Sequence, residues 1–271
     1  MAERLDKLHL DGYSIFQDKK KFCYGIDAVL LADFALKNTK NRIKSFEADK
    51  NFLFIDLGTG NGIIPILLAA KTGPHVKIQG IEIQAEIAEM ARRSVKINSL
   101  EERIEILEDD IKKIPQNLKG GFAQAVVSNP PYMVVSQGRQ SGNFAKMAAR
   151  QEILCCLEDV VRAAEFLLEG GGSFFMIHRA KRLKDVFFAL EKFGFKNIFW
   201  QNVKSFKEKD AAMVLVMAKK SLAKKNKTEI SDDDEKVFIE SVKKGEREIV
   251  SDKKLKQKRY LYFGVVVSVF A

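Results

Sequence analysis

Phe52-Leu-Phe-Ile-Asp-Leu-Gly-Thr-Gly-Asn-Gly62 is the stretch that decides the fold. An apolar run of strand length carries an acid at Asp56, feeds directly into glycines at 58, 60 and 62, and continues as the helical pattern Ile63 to Ala70. Glycines at such a strand-to-helix turn let the chain reverse sharply and let a ligand approach the backbone closely. A tight turn with incidental acids is the purely structural reading of the same residues.

Outward from this turn the alternation repeats. Val76 to Glu82 reads as a strand, Ala85 to Asn98 as a helix, and Ile104 to Leu107 and Ala123 to Ser128 as strands. Met133 to Lys146 lacks periodicity and reads as a long loop, a kind of segment that often carries function in compact domains. Arg150 to Leu168 reads as a helix stopped by Gly170-Gly171-Gly172. Ser173 to His178 is then a strand, Lys181 to Phe193 a helix, and Asn197 to Val203 and Met213 to Ala218 the last two strands. Strands alternating with helices imply an α/β, Rossmann-like fold: a seven-stranded, mostly parallel sheet with helices on both faces.

Two flanks complete the organisation. In GIDAVLLADFAL, Ile26, Val29, Leu30, Ala32 and Phe34 recur at helical spacing behind Asp27, so residues 1–46 are expected to form an extension packing on a main domain over 47–220. Beyond Lys219 the charge-dense blocks SLAKKNKTEISDDDEKVF and KKGEREIVSDKKLKQKR mark 221–271 as a charged tail, flexible or solvent-facing.

Composition narrows the partners. The 46 Lys and Arg against 36 Asp and Glu leave a formal net charge of +10, which suits a polyanion or reflects a lysine-rich composition without further meaning. MAERLDKLHL lacks the apolar core and cleavage site of a signal peptide, so the expected location is the cytoplasm. Phe52 to Ala70 is apolar but is broken by Asp56, Asn61 and glycines, and FGVVVSVFA is too short to span a bilayer, so no membrane partner is expected. Cys23, Cys155 and Cys156 show no metal-ligand spacing and read as reduced thiols, with no metal expected. The expected state is a monomer or weak dimer.

The acids around the glycine turn choose among cofactors. Glu82 closes the second strand inside GIEIQ, where a carboxylate can accept both hydroxyls of a ribose. A dinucleotide fingerprint needs Gly-x-Gly-x-x-Gly and room for pyrophosphate, whereas this chain has Gly-x-Gly-x-Gly behind an acid that would repel phosphate. An ammonium and a sulfonium suit that acid better, which favours S-adenosyl-L-methionine, with S-adenosyl-L-homocysteine as product, over NAD. The candidate cofactor residues are therefore Asp56, Gly58, Thr59, Gly60, Gly62, Glu82 and Ile83. After the third strand, Asp110 rather than Asp109 is the candidate acceptor for the cofactor's adenine amine, with Ile111 against the ring, although a solvated acidic turn is the plain alternative.

Ser128-Asn129-Pro130-Pro131-Tyr132 follows the fourth strand, on the same sheet edge. Consecutive prolines fix the backbone and forbid an immediate helix. An adenine amine is a poor nucleophile because its lone pair is delocalised into the ring. If the Asn129 side-chain oxygen and the Pro130 carbonyl each accept one amine hydrogen, electron density returns to nitrogen and direct attack on a sulfonium methyl becomes feasible. Tyr132 would stack on the flat target, a contact worth roughly 1–3 kcal/mol. Asn129 also borders the cofactor pocket. A polyproline turn capping a strand is the structural alternative.

DLGTGNG, GIEIQ and NPPY, in this order and spacing, resemble the class I amino-methyltransferases, and HLDGYSIFQDKKKFCYGIDAVLLADF at 9–34 is similar to the N-terminal segment of the bacterial tRNA(Val) adenine-N6 methyltransferases. The likeness runs from about Leu5 to Lys219. It implies tRNA as partner, an adenine at position 37 beside the anticodon as substrate and methyl transfer to N6. It also implies that Phe22 and Gly25 help cover the cofactor, that Asp56, Gly58, Gly60 and Glu82 hold it, and that Asn129 to Tyr132 hold the base. The family typically closes with a short segment containing a Thr-Glu step, here Thr228-Glu229, and Glu240 to Ala271 falls outside the pattern.

An anticodon-loop adenine must be extruded and its flanking phosphates gripped. Arg139, Lys146, Arg150 and Arg179 are the candidate RNA contacts, with His178, Lys181 and Arg182 nearby, and each has an ordinary solvated or structural role as its alternative. NPPY is shared with enzymes acting on DNA adenine, guanine N2 and protein glutamine. The rival enzyme reading is therefore N5-methylation of a protein glutamine, or an amino-methyltransferase acting on rRNA or DNA, and the non-enzyme reading is an RNA-binding scaffold. The glutamine reading calls for a helical substrate domain ahead of the first strand, for which the fifty or so residues there are too few.

Overall fold

The computed structural model describes residues 3–8, 10, 12–18, 23–46, 50–130, 156–204 and 210–222, together with the backbone of 258–262 and 265–269. In chain order the elements are β1 (Glu3–Lys7), β2 (Ser14–Asp18), α1 (Ile26–Ser45), β3 (Phe52–Leu57), α2 (Ile63–Ala70), β4 (Val76–Glu82), α3 (Ala85–Ile97), β5 (Ile104–Glu108), α4 (Ile114–Asn117), β6 (Ala123–Ser128), α5 (Leu157–Leu167), β7 (Leu168–Arg179), α6 (Leu183–Lys192), β8 (Phe195–Lys204), β9 (Met213–Lys220), β10 (Lys258–Tyr262) and β11 (Val265–Val269).

The main sheet has the order β10-β11-β8-β9-β7-β6-β3-β4-β5. Five neighbours, β5, β4, β3, β6 and β7, run parallel. β9 pairs antiparallel with both β7 and β8. The seven expected strands form this mostly parallel body. Two more come from the tail, where β10 and β11 pair antiparallel and β11 joins β8 through Ser268↔Lys204 and Val269↔Val203. The β-branched run in FGVVVSVFA is strand-forming chemistry, which its shortness as a membrane span left unconsidered.

Each strand sends alternate side chains to opposite faces. Phe52 and Phe54 join a core with α1, α2 and α3, containing Leu31, Phe34, Ile64, Leu67 and Ala91. Ile55 and Leu57 face a second core built with α5 and α6, containing Val160, Ala164, Val186 and Leu190. α1 is the helix expected behind Asp27, and it buries Leu30, Leu31, Phe34 and Ala35.

The opening stretch also holds a hairpin that the helical reading passed over. β1 and β2 pair antiparallel across a turn at Gly12, whose φ is +86°. The Asp-Gly step there is the sequence signal for it. At the other end, the run expected to separate helix from strand belongs to β7, which starts as α5 ends and absorbs Gly170 to Gly172 with a register shift between Ala123 and Ala125.

From β3 the chain winds outward through β4 to β5, then returns to place β6 on the opposite side of β3. The crevice above β3 and β6 is the topological switch point, where open α/β sheets bind ligands beyond the carboxyl ends of their strands. Gly80, in mid-β4, brings the turn down onto the sheet. A Cβ there would lie 2.8 Å from Thr59 Oγ1 and 2.9 Å from Ile106 Cδ1. Glycine inside a strand commonly marks such a close approach. Gly80→Ala should therefore lower stability by about 1–3 kcal/mol through overpacking, read as a lower urea midpoint with an unchanged slope.

Candidate functional site at the carboxyl ends of the parallel strands

The turn after β3 is fixed by its neighbour. Gly58 N and Thr59 N both donate to Ile81 O, at 2.9 and 3.0 Å, and Gly62 N closes back on Thr59 O at 3.1 Å. Gly58, Gly60 and Gly62 all have positive φ, at 73°, 58° and 85°. This is backbone that side-chain-bearing residues rarely adopt. A Cβ on Gly58 would meet nothing within 4 Å, so the turn leaves open space above it, whereas one on Gly62 would press on Ala91 of α3. Gly62 also starts α2.

Beneath this turn lies a group of polar atoms buried without partners. Asp56 is wholly buried. Neither of its carboxylate oxygens, nor Thr59 Oγ1, nor Asn61 Oδ1, has a hydrogen-bond partner among the described residues. Burial pushes the Asp56 carboxyl up to about 7; nearby Thr59 opposes that shift, though outside hydrogen-bonding geometry, and the Glu82 charge adds to it. Both Asp56 oxygens and Asn61 Oδ1 are acceptors, so the missing partner is a donor, and a cationic one suits an acid best. An ammonium-bearing cofactor such as S-adenosylmethionine fits this set, and a phosphate does not.

Glu82, at the end of β4, is more fully engaged. Its Oε2 accepts from Gly60 N at 3.1 Å and its Oε1 from Gln84 N at 3.0 Å. Burial raises its pKa and these bonds oppose the rise. Ile83 beside it is 36% exposed, an apolar side chain held in solvent at the rim. After β5, Asp109 is occupied by Asp110 N and Asn117 Nδ2, at 2.7 and 2.8 Å. Asp110 uses one oxygen, accepting from Lys112 N at 2.9 Å, and Ile111 is buried. Asp109 thus accepts two bonds on one oxygen, and Asp110 accepts one.

β6 delivers Asn129 and Pro130 beside this turn. Leu57 and Ser128 are paired across β3 and β6, and Ser128 Oγ donates to Leu57 O at 2.8 Å, locking the two strand ends together. Asn129 is half-buried and Pro130 buried. Asp56, Gly58 to Gly62, Glu82, Ile83, Asp110, Ile111, Asn129 and Pro130 thus lie at or just beyond the carboxyl ends of four adjacent strands, β5, β4, β3 and β6. Gly25 is the exposed residue ahead of α1. Arg179 ends β7 with its side chain exposed. Phe22, Pro131, Tyr132, Arg139, Lys146 and Arg150 lie outside the described residues.

His178 is buried, and Arg179 N donates to its Nδ1 at 2.9 Å. Burial, with the charge of Arg182, lowers its pKa to about 4. It is a neutral imidazole at physiological pH, which suits packing rather than phosphate binding. Two residues with evident roles escaped the sequence reading. Gly80 could have been found as a lone glycine inside a strand, whereas nothing local tells that Asn61, within the glycine turn, donates from Nδ2 to Phe16 O of β2 at 2.9 Å.

Comparison with known proteins gives the family. The chain belongs to the methyltransferase small domain family, whose model matches residues 37–207. It is 25% identical over 175 residues to the tRNA1(Val) (adenine(37)-N6)-methyltransferase of Pectobacterium carotovorum, covering 63% of this chain and 65% of the relative. It is 27% identical over 165 residues to the protein of the same name from Erwinia tasmaniensis, covering 61% and 62%. The match thus spans a little under two-thirds of these relatives. Among solved structures, a predicted O-methyltransferase from Agrobacterium tumefaciens superposes with a TM-score of 0.53 at 22% identity, over 81% of this chain and 96% of that one, a likeness of fold. No helix among the described residues is long and apolar enough to cross a membrane.

The pKa of Asp56 gives a stability test. Its carboxyl titrates near 4 when unfolded and near 7 when folded, so between those values the folded protein binds the extra proton and stability falls as pH rises. Asp56→Asn cannot ionise and escapes this loss. Its thermal midpoint should match wild type near pH 4, pull ahead across the window and hold a constant lead above pH 7. Parallel curves would refute an ionised, unpartnered Asp56.

Proposed function

We propose that this chain is an S-adenosylmethionine-dependent methyltransferase that modifies the N6 amine of an adenine in RNA, with adenine 37 of tRNA(Val) as the leading substrate. The observation that carries the reading is the set of unpartnered buried acceptors at Asp56 and Asn61, next to the strand end that presents Asn129 and Pro130. The first asks for a cationic donor and the second offers two acceptors to a planar amine. The names of the relatives support adenine N6 and tRNA, and the net charge of +10 suits a polyanionic substrate.

Bound S-adenosylmethionine supplies an electrophilic methyl on sulfur. Asp56 would hold its ammonium, Glu82 its ribose hydroxyls and Asp110 its adenine amine, with Ile83 and Ile111 packing on the ring and Gly58, Thr59, Gly60 and Gly62 shaping the floor. Phe22 and Gly25 would help to cover it. Asn129 Oδ1 and the Pro130 carbonyl would each accept a hydrogen of the target amine, raising electron density on nitrogen and fixing its direction. Tyr132 would stack on the base, and Arg139, Lys146, Arg150 and Arg179 would grip flanking phosphates. The locked ends of β3 and β6 would set the distance between the two halves of the site. No imidazole base is required, in keeping with a neutral His178.

The deciding experiment incubates the protein with labelled S-adenosylmethionine and either tRNA lacking the modification or peptide extracts, then identifies the product after digestion. Label in N6-methyladenine supports the reading, and label only in a glutamine side chain refutes it. Asn129→Ala should retain S-adenosylhomocysteine affinity in calorimetry and lose roughly 100- to 1,000-fold in kcat, the scale for removing a group that stabilises developing charge. Near-normal turnover would overturn the amine-polarising role.

A further inference from the structure

Among the described residues the outer edge of β2 has no partner strand, since β1 and β2 form a sheet of their own. Side chains occupy it instead. Ser14 N donates to Asn98 Oδ1 at 2.8 Å, and Asn98 Nδ2 donates back to Ser14 O at 2.7 Å. Two residues on, Phe16 N donates to Ser94 Oγ at 3.1 Å. Asn98 and Ser94 are one helical turn apart, at the end of α3 and within it, and Arg93 places its guanidinium 4.8 Å above the Phe16 ring. The fourth position breaks the pattern, because Phe16 O accepts from Asn61 Nδ2, at 2.9 Å, and Asn61 belongs to the glycine turn.

Asn61 is wholly buried. The Phe16 carbonyl demands a donor, so the amide nitrogen faces the hairpin and the amide oxygen is the atom left over. That oxygen, like both Asp56 oxygens and Thr59 Oγ1, has no partner among the described residues. One carboxamide therefore has its donor half satisfied by the N-terminal hairpin and its acceptor half unsatisfied within the cofactor turn. The hairpin is tied onward as well, since Gln17 donates from Nε2 to Asp6 Oδ2 at 2.5 Å and accepts from Tyr24 N at 3.2 Å, just ahead of α1.

We propose that Asn61 is a positioning residue that couples docking of the β1–β2 hairpin to occupancy of the cofactor turn, an inference that rests on the cofactor reading above. Ligand binding orders the turn and fixes the Asn61 side chain, which strengthens its bond to Phe16. Coupling is reciprocal, so a docked hairpin in turn strengthens ligand binding. The hairpin is thereby a part of the cofactor site without touching its open face.

Amide hydrogen exchange at residues 14–18, with and without S-adenosylhomocysteine, tests this alongside calorimetric measurement of S-adenosylhomocysteine binding. In wild type the ligand should slow exchange of the Phe16 amide by roughly tenfold, within the usual range of coupling. In Asn61→Ala the affinity for S-adenosylhomocysteine should fall and the basal rate rise, and at a ligand concentration that calorimetry shows to saturate the variant the ligand should slow exchange by less than about twofold. Asn98→Ala loosens the hairpin at Ser14 and leaves the turn intact, so it should exchange faster yet keep the wild-type ratio, which separates coupling from mere weakening. Should Asn61→Ala fail to fold, Asn61→Leu keeps the branched shape, has no donor and gives the same readout. An equal ligand-induced slowing in wild type and the Asn61 variant, or none in a wild type that binds ligand, overturns the coupling alone. Failure of wild type to bind S-adenosylhomocysteine overturns the cofactor reading and the coupling together.

Discussion

A carboxylate removed from water without a partner costs free energy, and the switch point of this fold is built around one. Asp56 lies near the end of β3, the middle one of the five parallel strands, flanked by β4 and β6, under a turn whose backbone is bonded to Ile81. Its burial depends on the rest of the structure. Gly80 brings the turn against β4, Gly62 brings α2 against α3, and Ser128 fastens β6 to β3. Native proteins leave buried polar groups unpaired rarely, and usually for function. Here two fully buried residues, Asp56 and Asn61, do so within one turn.

The fold was legible in the sequence because the physics that fixes it is local. The apolar periods, the turn glycines and the acid at each strand end mark β3, α2, β4 and α3 within a residue or so at their ends. The antiparallel insertion of β9 between β7 and β8 was not legible, since pairing partners far apart leave no periodic trace. The N-terminal hairpin was missed for a different reason. Its inner face packs on the core through Ile15 and Leu8, but its outer edge is satisfied by Asn98, Ser94 and Asn61, three polar side chains that look like surface residues in the sequence. Three glycines misled the reading after α5, where the chain passes straight into β7 and the glycines fall at its bulged start.

Much of the candidate site could be named from sequence for the same reason that the strands could. Residues at or just past the ends of neighbouring parallel strands are brought together by the sheet itself, so motif position and spatial position coincide at Asp56, Glu82, Asp110 and Asn129. Finer assignments needed coordinates. Asp109 and Asp110 are chemically identical in sequence, and they differ in their bonds: Asp109 accepts from Asp110 N and Asn117 Nδ2, Asp110 from Lys112 N. His178, adjacent to Arg179, reads as part of a basic patch, yet burial makes it neutral.

The reversal of winding at β3 has a consequence for how such a chain can diversify. The strands β3, β4 and β5 lie on one side of the β3–β6 boundary, and every later strand of the sheet, from β6 on, lies on the other. Order along the chain therefore coincides with sidedness in space. A single recombination joint between β5 and β6 would exchange the strands of one flank of the crevice together and leave those of the other intact. The Ser128 hydroxyl bonds to backbone, at Leu57 O, so the seam between the flanks makes no demand on the identity of the side chain opposite.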